Sequence, residues 1–422
     1  MDTSRKRYGI AIALVALGLL AGLITLILES DRTRDTPHKD SAASAPTASA
    51  PASASSGSRP TSLTLTTTGD VLAYPTIITQ SERDAVGSGG SGGSAGSGAS
   101  GASGTSGSGN DFHKIFADVV PLVQKSDLAL CHMETPYAPP EGPFTGYPMF
   151  AAPPQIARTL ADTGYDGCST ASNHTLDGGF TGLQRTLDTL DAAGVRHAGS
   201  ARTEQEAAPT ILDVKGVKVA HLSWTYDTNG IPLPQGKPWS VNVIDKDRMI
   251  AQARAARAAG AELVLLSVHW GTEWQREPDA QQRSLAEELT ASTNNGVKDV
   301  DLIIGTHNHV PQAYEKVNGT WVIYGMGDQM ANFPDKPRGN YSSAGLFTFS
   351  RDAAGVWSVT SAQFRPLYSH PGPPFRILDV NKALADPATP ADTRAQLETA
   401  RSTVVDAVFS EGAAGAGLTE SK

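Results

Sequence analysis

The chain has 422 residues, 43 acidic against 34 basic, for a formal charge of −9. This mildly acidic balance, with no basic cluster beyond the first few residues, excludes a general nucleic-acid binder. Two tracts, the Ser/Ala/Pro-rich Asp40–Ser58 and the Gly/Ser-rich Gly87–Gly109, lack the apolar content needed to offset the entropy of ordering. Setting them aside leaves roughly 300 residues, enough for one large domain with its own core.

In chain order, Arg5, Lys6 and Arg7 precede the uncharged run Tyr8–Leu28. That run is long enough to cross a hydrocarbon core as a helix, and the positive flank stays in the cytoplasm. A cleaved signal peptide needs a small-residue cleavage site, which Ile27–Arg32 does not offer. The prediction is a cytoplasmic tail over 1–7, a single-pass membrane anchor over 8–28 and a linker over 29–60. Everything after Glu29 then lies outside the cell membrane.

A folded domain is predicted over 61–371, interrupted by the flexible insertion 87–109. Its short apolar runs alternate with amphipathic stretches, which marks an α/β domain. Leu63–Thr68 reads as a strand and is followed by GDVL. Leu128–Cys131 leads into HMETP, and Tyr165–Thr170 into ASNHTLDGG. Phe180, Leu183, Leu187 and Leu190 follow helical spacing up to a stop at Gly194. Lys218–Trp224 leads into TYDTNG, Leu263–Val268 into HWGTEW, Leu302–Ile304 into GTHNHV and Trp321–Tyr324 into GMGDQ. Met249–Ala259 and Gln281–Ala291 are helix candidates, Gly345–Phe364 alternates as a hairpin turning at AAG, and the tail over 372–422 carries a helix at Asp392–Phe409. Cys131 and Cys168 sit in separate strand-like runs and are read as buried free thiols. A bridge requires those strands to be neighbours with a suitable Cα separation.

Asp70, Glu134, Asn173, His174, His269, His307 and His309 all follow the apolar part of a predicted strand. In α/β sheets, ligands gather at the carboxyl ends of strands. His307 and His309, two apart on an extended chain, would project to one side and clasp an ion. A donor set of carboxylates, an amide and imidazoles suits manganese, iron or zinc in an open hydrolytic site. Two ions sharing a carboxylate lower the pKa of a bridging water and clamp an oxyanion. In that scheme Asp70 and His309 hold one ion, Asn173, His269 and His307 the other, and Glu134 bridges or flanks. His174, beside a ligand, is placed to protonate a leaving group.

Gly69–Asp70, the MET of HMETP, SNHTLDGG, HWGTE and GTHNHVPQ occur in this order. Together they closely resemble the CapA family of capsule or poly-γ-glutamate biosynthesis proteins, over about Leu63 to Asn332. That family is similar to the calcineurin-like metallophosphatases, which implies a four-layer α/β/β/α sandwich and one or two divalent ions. The resemblance places Asp70 at the first-motif aspartate and Asn173–His174 at the metal-binding Asn and the His that contacts the scissile group. His269 matches the single-histidine motif, and His307 with His309 the closing pair. There are four departures. The double Asn before the histidine is Ser172–Asn173, which keeps the ligand-type Asn. The histidine two residues after the aspartate is Leu72. The Asn-x-Glu pattern has become His132–Met133–Glu134, with His132 read as a polar filler or an extra ligand. The GNF near the last strand has become Gly327–Asp328–Gln329, its acidic group bearing on substrate preference.

Glu273 is read as orienting His269 or meeting substrate, Asp177 as a helix N-cap or a functional group, and Trp270 and Trp274 as cleft or packing aromatics. His221 is read as a core histidine. The implied function is a membrane-anchored metal-dependent hydrolase of phosphoester or related bonds in capsule, poly-γ-glutamate or other cell-envelope polymer synthesis. Its partners would be that polymer and its membrane synthesis machinery. The competing reading is a non-catalytic component that binds and guides the polymer during export.

Overall fold

The computed structural model describes residues 60–88 and 109–422. The expected anchor over 8–28, and most of the 29–60 linker and of the 87–109 insertion, lie outside the described residues. Among those described, no helix is long and apolar enough to cross a membrane.

The chain first runs through β1 (Ser62–Val71), α1 (Pro75–Ser88), α2 (His113–Phe116), α3 (Val120–Val123) and β2 (Leu128–Met133). It continues through α4 (Gln155–Thr163), β3 (Gly167–Ser169), α5 (Gly179–Ala193) and β4 (Arg196–Ala198). A second series follows: β5 (Thr210–Val214), β6 (Val217–Thr225), α6 (Lys246–Ala258), β7 (Leu263–His269) and α7 (Ala280–Ala291). A small hairpin, β8 (Thr293–Asn294) and β9 (Val297–Lys298), precedes β10 (Leu302–Thr306), β11 (Tyr314–Val317) and β12 (Thr320–Ile323). The chain then returns through β13 (Asp328–Met330), β14 (Tyr341–Arg351), β15 (Trp357–His370), β16 (Arg376–Asp379), α8 (Val380–Ala385), α9 (Ala391–Val408) and β17 (Leu418–Glu420).

The strands form two large sheets. The first has the order β16-β15-β14-β1-β2-β3-β4, with β13 beside β1 and β17 beside β15. The second has the order β11-β12-β10-β7-β6-β5. In β7 the continuous apolar run explains the placement, because a parallel strand covered on both faces needs no polar alternation. Leu263 and Leu265 point into the core between the two sheets, where they meet Leu65, Leu130 and Phe347 of the first sheet. Val264, Leu266 and Val268 point the other way, onto Ala253 and Ala256 of α6 and Leu285 and Leu289 of α7. On the far side, Ala129, Cys131 and Met133 face Ile77, Phe116, Ile156 and Leu160 of the first helical layer. The layers therefore run helix, sheet, sheet, helix, with each strand's alternate residues feeding two cores.

Local signals fix the helix ends. Asp279 and Gln282 form a reciprocal capping box at the start of α7. Gly194 ends α5 with φ 82°, a left-handed conformation that glycine adopts without a Cβ penalty. After residue 371 the chain adds β16 and β17 to the first sheet, and Leu397, Val404 and Val408 of α9 enter the inter-sheet core. The segment is therefore more than a tail carrying a helix.

The free-thiol reading of the cysteines is corrected. Strands β2 and β3 are parallel neighbours, Cys131 stands opposite Cys168, and the two form a disulfide with Cα atoms 4.4 Å apart. Pairing between segments 37 residues apart is a property of the sheet order, which the two short runs do not encode.

Candidate metal centre

The carboxyl ends of β1, β2 and β3 in one sheet, and of β7 and β10 in the other, converge on one buried region. Asp70, His132, Glu134, Asn173, His174, His269, His307, His309 and Asp328 are all at most 6% exposed there. Of the residues singled out from sequence as site residues, Glu273 alone is exposed, in the loop after β7.

Around Glu134, His269 Nε2 lies 3.9 Å from Oε1 and 2.9 Å from Asn173 Oδ1. The Asn173 amide nitrogen donates to Asn229 Oδ1 at 3.2 Å, which turns Oδ1 towards His269. The other nitrogen of His269 is held by Thr306 Oγ1 at 2.9 Å. Thr306, rather than Glu273, therefore orients this imidazole. The His307 ring lies 4.7 Å from that of His269 and 4.4 Å from that of Tyr226. His307 Nδ1 and both oxygens of Glu134 are buried without a hydrogen-bond partner.

Around Asp70, Oδ2 accepts the His307 backbone N–H at 3.0 Å. Oδ1 is buried without a partner and lies 3.6 Å from His132 Nε2, which also has none. His309 Nδ1 lies 3.1 Å from both oxygens of Asp328. Ligand atoms of Asp70, His309 and Asp328 all fall within 4.8 Å of one another, as do those of Asp70, His132 and His269. A third such group, Asp191, His197 and Glu206, already holds a cation: Arg202 binds Asp191 at 2.6 Å and Glu206 at 3.0 Å.

The extended-chain argument for the histidine pair is corrected. Strand β10 ends at Thr306, and His307 and His309 have φ of 96° and 56°. Left-handed backbone at a non-glycine residue costs roughly 1–2 kcal/mol, strain of the kind that clusters at functional sites. The rings still converge, with centroids 6.1 Å apart.

Electrostatics follow from burial. Desolvation, then the neighbouring carboxylates, raise Asp70 and Glu134 well above the ordinary carboxyl range, and Asp328 is raised chiefly by desolvation. Desolvation lowers His132 and His307 to about 3. It opposes charge on His309 too, but Asp328, Glu134 and Asp70 outweigh it and push that imidazole up to about 10. Carboxyl groups this close, and this far from water, either keep their protons or take a cation among them.

Beside this centre, His174 Nδ1 bonds Asp177 Oδ2 at 2.7 Å, and the same oxygen accepts the Phe150 N–H at 2.7 Å. Asp177 is thus the partner of His174. The N-cap of α5 is Gly178, with no side-chain bond. The Phe150 ring stands edge-on to His174 at 4.8 Å, and Trp274 and Phe333 flank His309 at 5.2 and 5.5 Å. Trp270 is buried and donates to Tyr324 O, so of the two tryptophans only Trp274 walls the site. His221 is a core residue bonded to Ser267 Oγ at 2.9 Å.

Gly69 lets β13 approach β1: a Cβ there would lie 1.7 Å from Gly327 O. Gly69→Ala must displace backbone and with it Asp328, so we expect a loss of about 1–3 kcal/mol. Thermal unfolding of the variant checks this, and an unchanged midpoint would contradict it.

The family of bacterial capsule synthesis proteins PGA_cap matches residues 64–332, more than half of the chain. The chain belongs to this family. It is 28% identical over 180 residues to the PGA biosynthesis protein CapA of Bacillus subtilis (strain 168), covering 41% of this chain and 44% of that protein. It is 24% identical over 183 residues to the capsule biosynthesis protein CapA of Bacillus anthracis, covering 42% and 43%. The matched region thus spans less than half the length of either relative. Among solved structures, the calcineurin-like phosphoesterase YfkN of Bacillus subtilis is similar at TM-score 0.41 and 16% identity, covering 81% of this chain and 99% of that one. The 5'-nucleotidase precursor of Thermus thermophilus is similar at TM-score 0.41 and 17% identity, covering 73% and 54%. Within this PGA_cap family member, sequence reasoning missed Thr306, Asn229 and Ser169. Each acts through a hydrogen bond made across strands or loops, which spacing along the chain does not reveal.

Proposed function

We propose that this PGA_cap family member is a divalent-metal-dependent hydrolase of phosphoester or related bonds, acting in capsule, poly-γ-glutamate or related envelope-polymer synthesis. The observation that carries the reading is a set of buried ligand atoms without partners, Asp70 Oδ1, Glu134 Oε1 and Oε2, and His307 Nδ1, next to a histidine fixed by a carboxylate. Oxygen and imidazole donors of this kind fit manganese, iron or zinc. When bound, such ions supply Lewis-acid stabilisation of charge developing on a phosphoryl oxygen.

The chain's own residues supply the rest. Glu134, Asn173, His269 and His307 would hold one ion. Asp177 fixes the His174 ring with its Nδ1 engaged, so Nε2 is the nitrogen turned to substrate as general acid. Tyr74, Phe150, Phe333 and Trp274 form an aromatic wall that limits water at the site.

The test is hydrolysis of a p-nitrophenyl phosphomonoester and a diester by the purified protein loaded with Mn(II). Expected is turnover that a chelator removes and that Asn173→Ala loses. Stoichiometric metal without turnover of either ester would overturn the hydrolase reading in favour of polymer binding.

Ligation requires neutral imidazole, whereas Asp328, Glu134 and Asp70 push the His309 imidazole up to about 10. Ion binding near neutral pH is therefore expected to release protons, and affinity to rise between about pH 6 and 8. Calorimetry in buffers of different ionisation enthalpy reads the proton count directly, and zero release would contradict the expectation.

We also read residues 8–28 as the anchor that places the domain outside the cell membrane. Full-length chain is expected in the membrane fraction and a form starting at Arg59 in the soluble one. A soluble full-length chain would refute this.

A further inference from the structure

The strand register of the first sheet lines up four polar residues. Asp328 on β13 pairs with Asp70 on β1, Asp70 with His132 on β2, and His132 with Ser169 on β3. Register partners on adjacent strands share a face and stand side by side. Leu72, two residues after Asp70, packs against Phe150 and Ala331 and offers no donor to this row.

We propose that His132 is an ion ligand which, with Asp70, Asp328 and His309, forms a first ion position separate from the one around Glu134, Asn173, His269 and His307. The inference rests on the reading of this region as a metal centre. It assigns to His132 a role beyond filling the volume of a smaller polar residue.

The hydrogen bonds around the ring fit a tautomer in which Nε2 is the free nitrogen. Ser169 Oγ lies 3.3 Å from Cys131 O, to which it can donate, leaving its oxygen to accept from His132 Nδ1 at 2.7 Å. In that tautomer Nδ1 carries the ring proton, and Nε2 presents a lone pair. That lone pair faces Asp70 Oδ1 across 3.6 Å, both atoms being buried and partnerless. The gap is too wide for a hydrogen bond, and the one imidazole proton is already used on Ser169. Two ligands each about 2.0–2.2 Å from a common ion stand about 3–4 Å apart, which fits the gap. Ser169 is then the outer partner that fixes the tautomer of a ligating histidine. Most buried polar side-chain atoms are satisfied by protein, and this nitrogen is not. The resulting set, two carboxylates and two imidazoles, suits a divalent transition ion such as Mn(II) or Zn(II).

The test counts ions by mass spectrometry on full-length chain loaded with Mn(II) and dialysed, in parent, His132→Phe and Asn173→Ala. Phenylalanine retains a flat ring for the stacking on His269, 4.7 Å away, and removes both nitrogens. Expected are two ions per chain in the parent and one in each variant. In His132→Phe the affinity of the first position should fall by at least the roughly 10–100-fold that losing an outer partner costs. Two ions held by His132→Phe at parental affinity would overturn the proposal. A parent with one ion, lost in Asn173→Ala and kept in His132→Phe, would also overturn it while leaving the metal centre intact. A parent with no ion would overturn both. If His132→Phe fails to fold by circular dichroism, Asp328→Asn and Ser169→Ala decide: weakening of the same ion supports the proposal, and unchanged affinity in both refutes it.

Discussion

Asp70→Asn is expected to make the metal-free protein more stable and the metal-supplemented protein less so. The Asp70 carboxyl is fully buried, and its pKa is raised first by desolvation and then by repulsion from Asp328. A folded-state value above the unfolded value of about 3.9 means the native chain retains a proton that the unfolded chain releases. Stability from this group therefore falls as pH rises from about 4 towards the raised native value. The amide has no such penalty, and its oxygen still accepts the His307 N–H. The variant should match the parent near pH 4 and gain on the order of 1–3 kcal/mol as pH approaches neutrality. Divalent ions reverse the order: at 1,000 times Kd they add about 4 kcal/mol to the parent by mass action, and much less to a variant lacking this ligand. Thermal midpoints over this pH range, with and without Mn(II), test both halves. A metal-free variant less stable than the parent at neutral pH, still stabilised by Mn(II), would refute the reading of Asp70.

What the sequence revealed follows the physics of each signal. Strands such as Leu263–His269 are buried on both faces and read as unbroken apolar runs. Helix α5 shows its apolar period and its stop at Gly194, and composition marks α6 and α7. The donors of the centre were visible because each sits where an apolar run stops, and that end of a parallel strand is where the chain turns over the site. The family blocks then fixed their order.

The misses come from interactions that act across strands. Strand β13 is three residues long and polar, so nothing local marks it, yet its parallel pairing with β1 brings Asp328 beside Asp70. The same register sets His132 against Asp70, and Cys131 against Cys168. Glu273 shows the opposite failure. It lies in a strong motif, but the chain leaves β7 in a loop that carries it to the surface, and Thr306 takes the hydrogen bond to His269. Residue type and spacing showed what chemistry is present, while sheet register decided which groups meet.

Among residues that hold no ion, the largest rate effect should come from His174, and its size should depend on the leaving group. A general acid contributes about 10²–10⁴-fold where the departing oxygen needs a proton. An alkyl phosphodiester has such a leaving group, whereas p-nitrophenolate departs readily without one. His174→Ala is therefore expected to lower kcat by about that factor on the alkyl ester and far less on the p-nitrophenyl ester. Ion content should be unchanged, since neither proposed ion position uses this ring. Asp177→Asn should follow the same pattern. The carboxylate oxygen that receives both His174 Nδ1 and the Phe150 N–H is replaced by a group with one acceptor and one donor, so the ring loses its fixed tautomer. Equal losses on the two esters, or loss of bound metal in His174→Ala, would exclude the acid role and make His174 a structural part of the ion site.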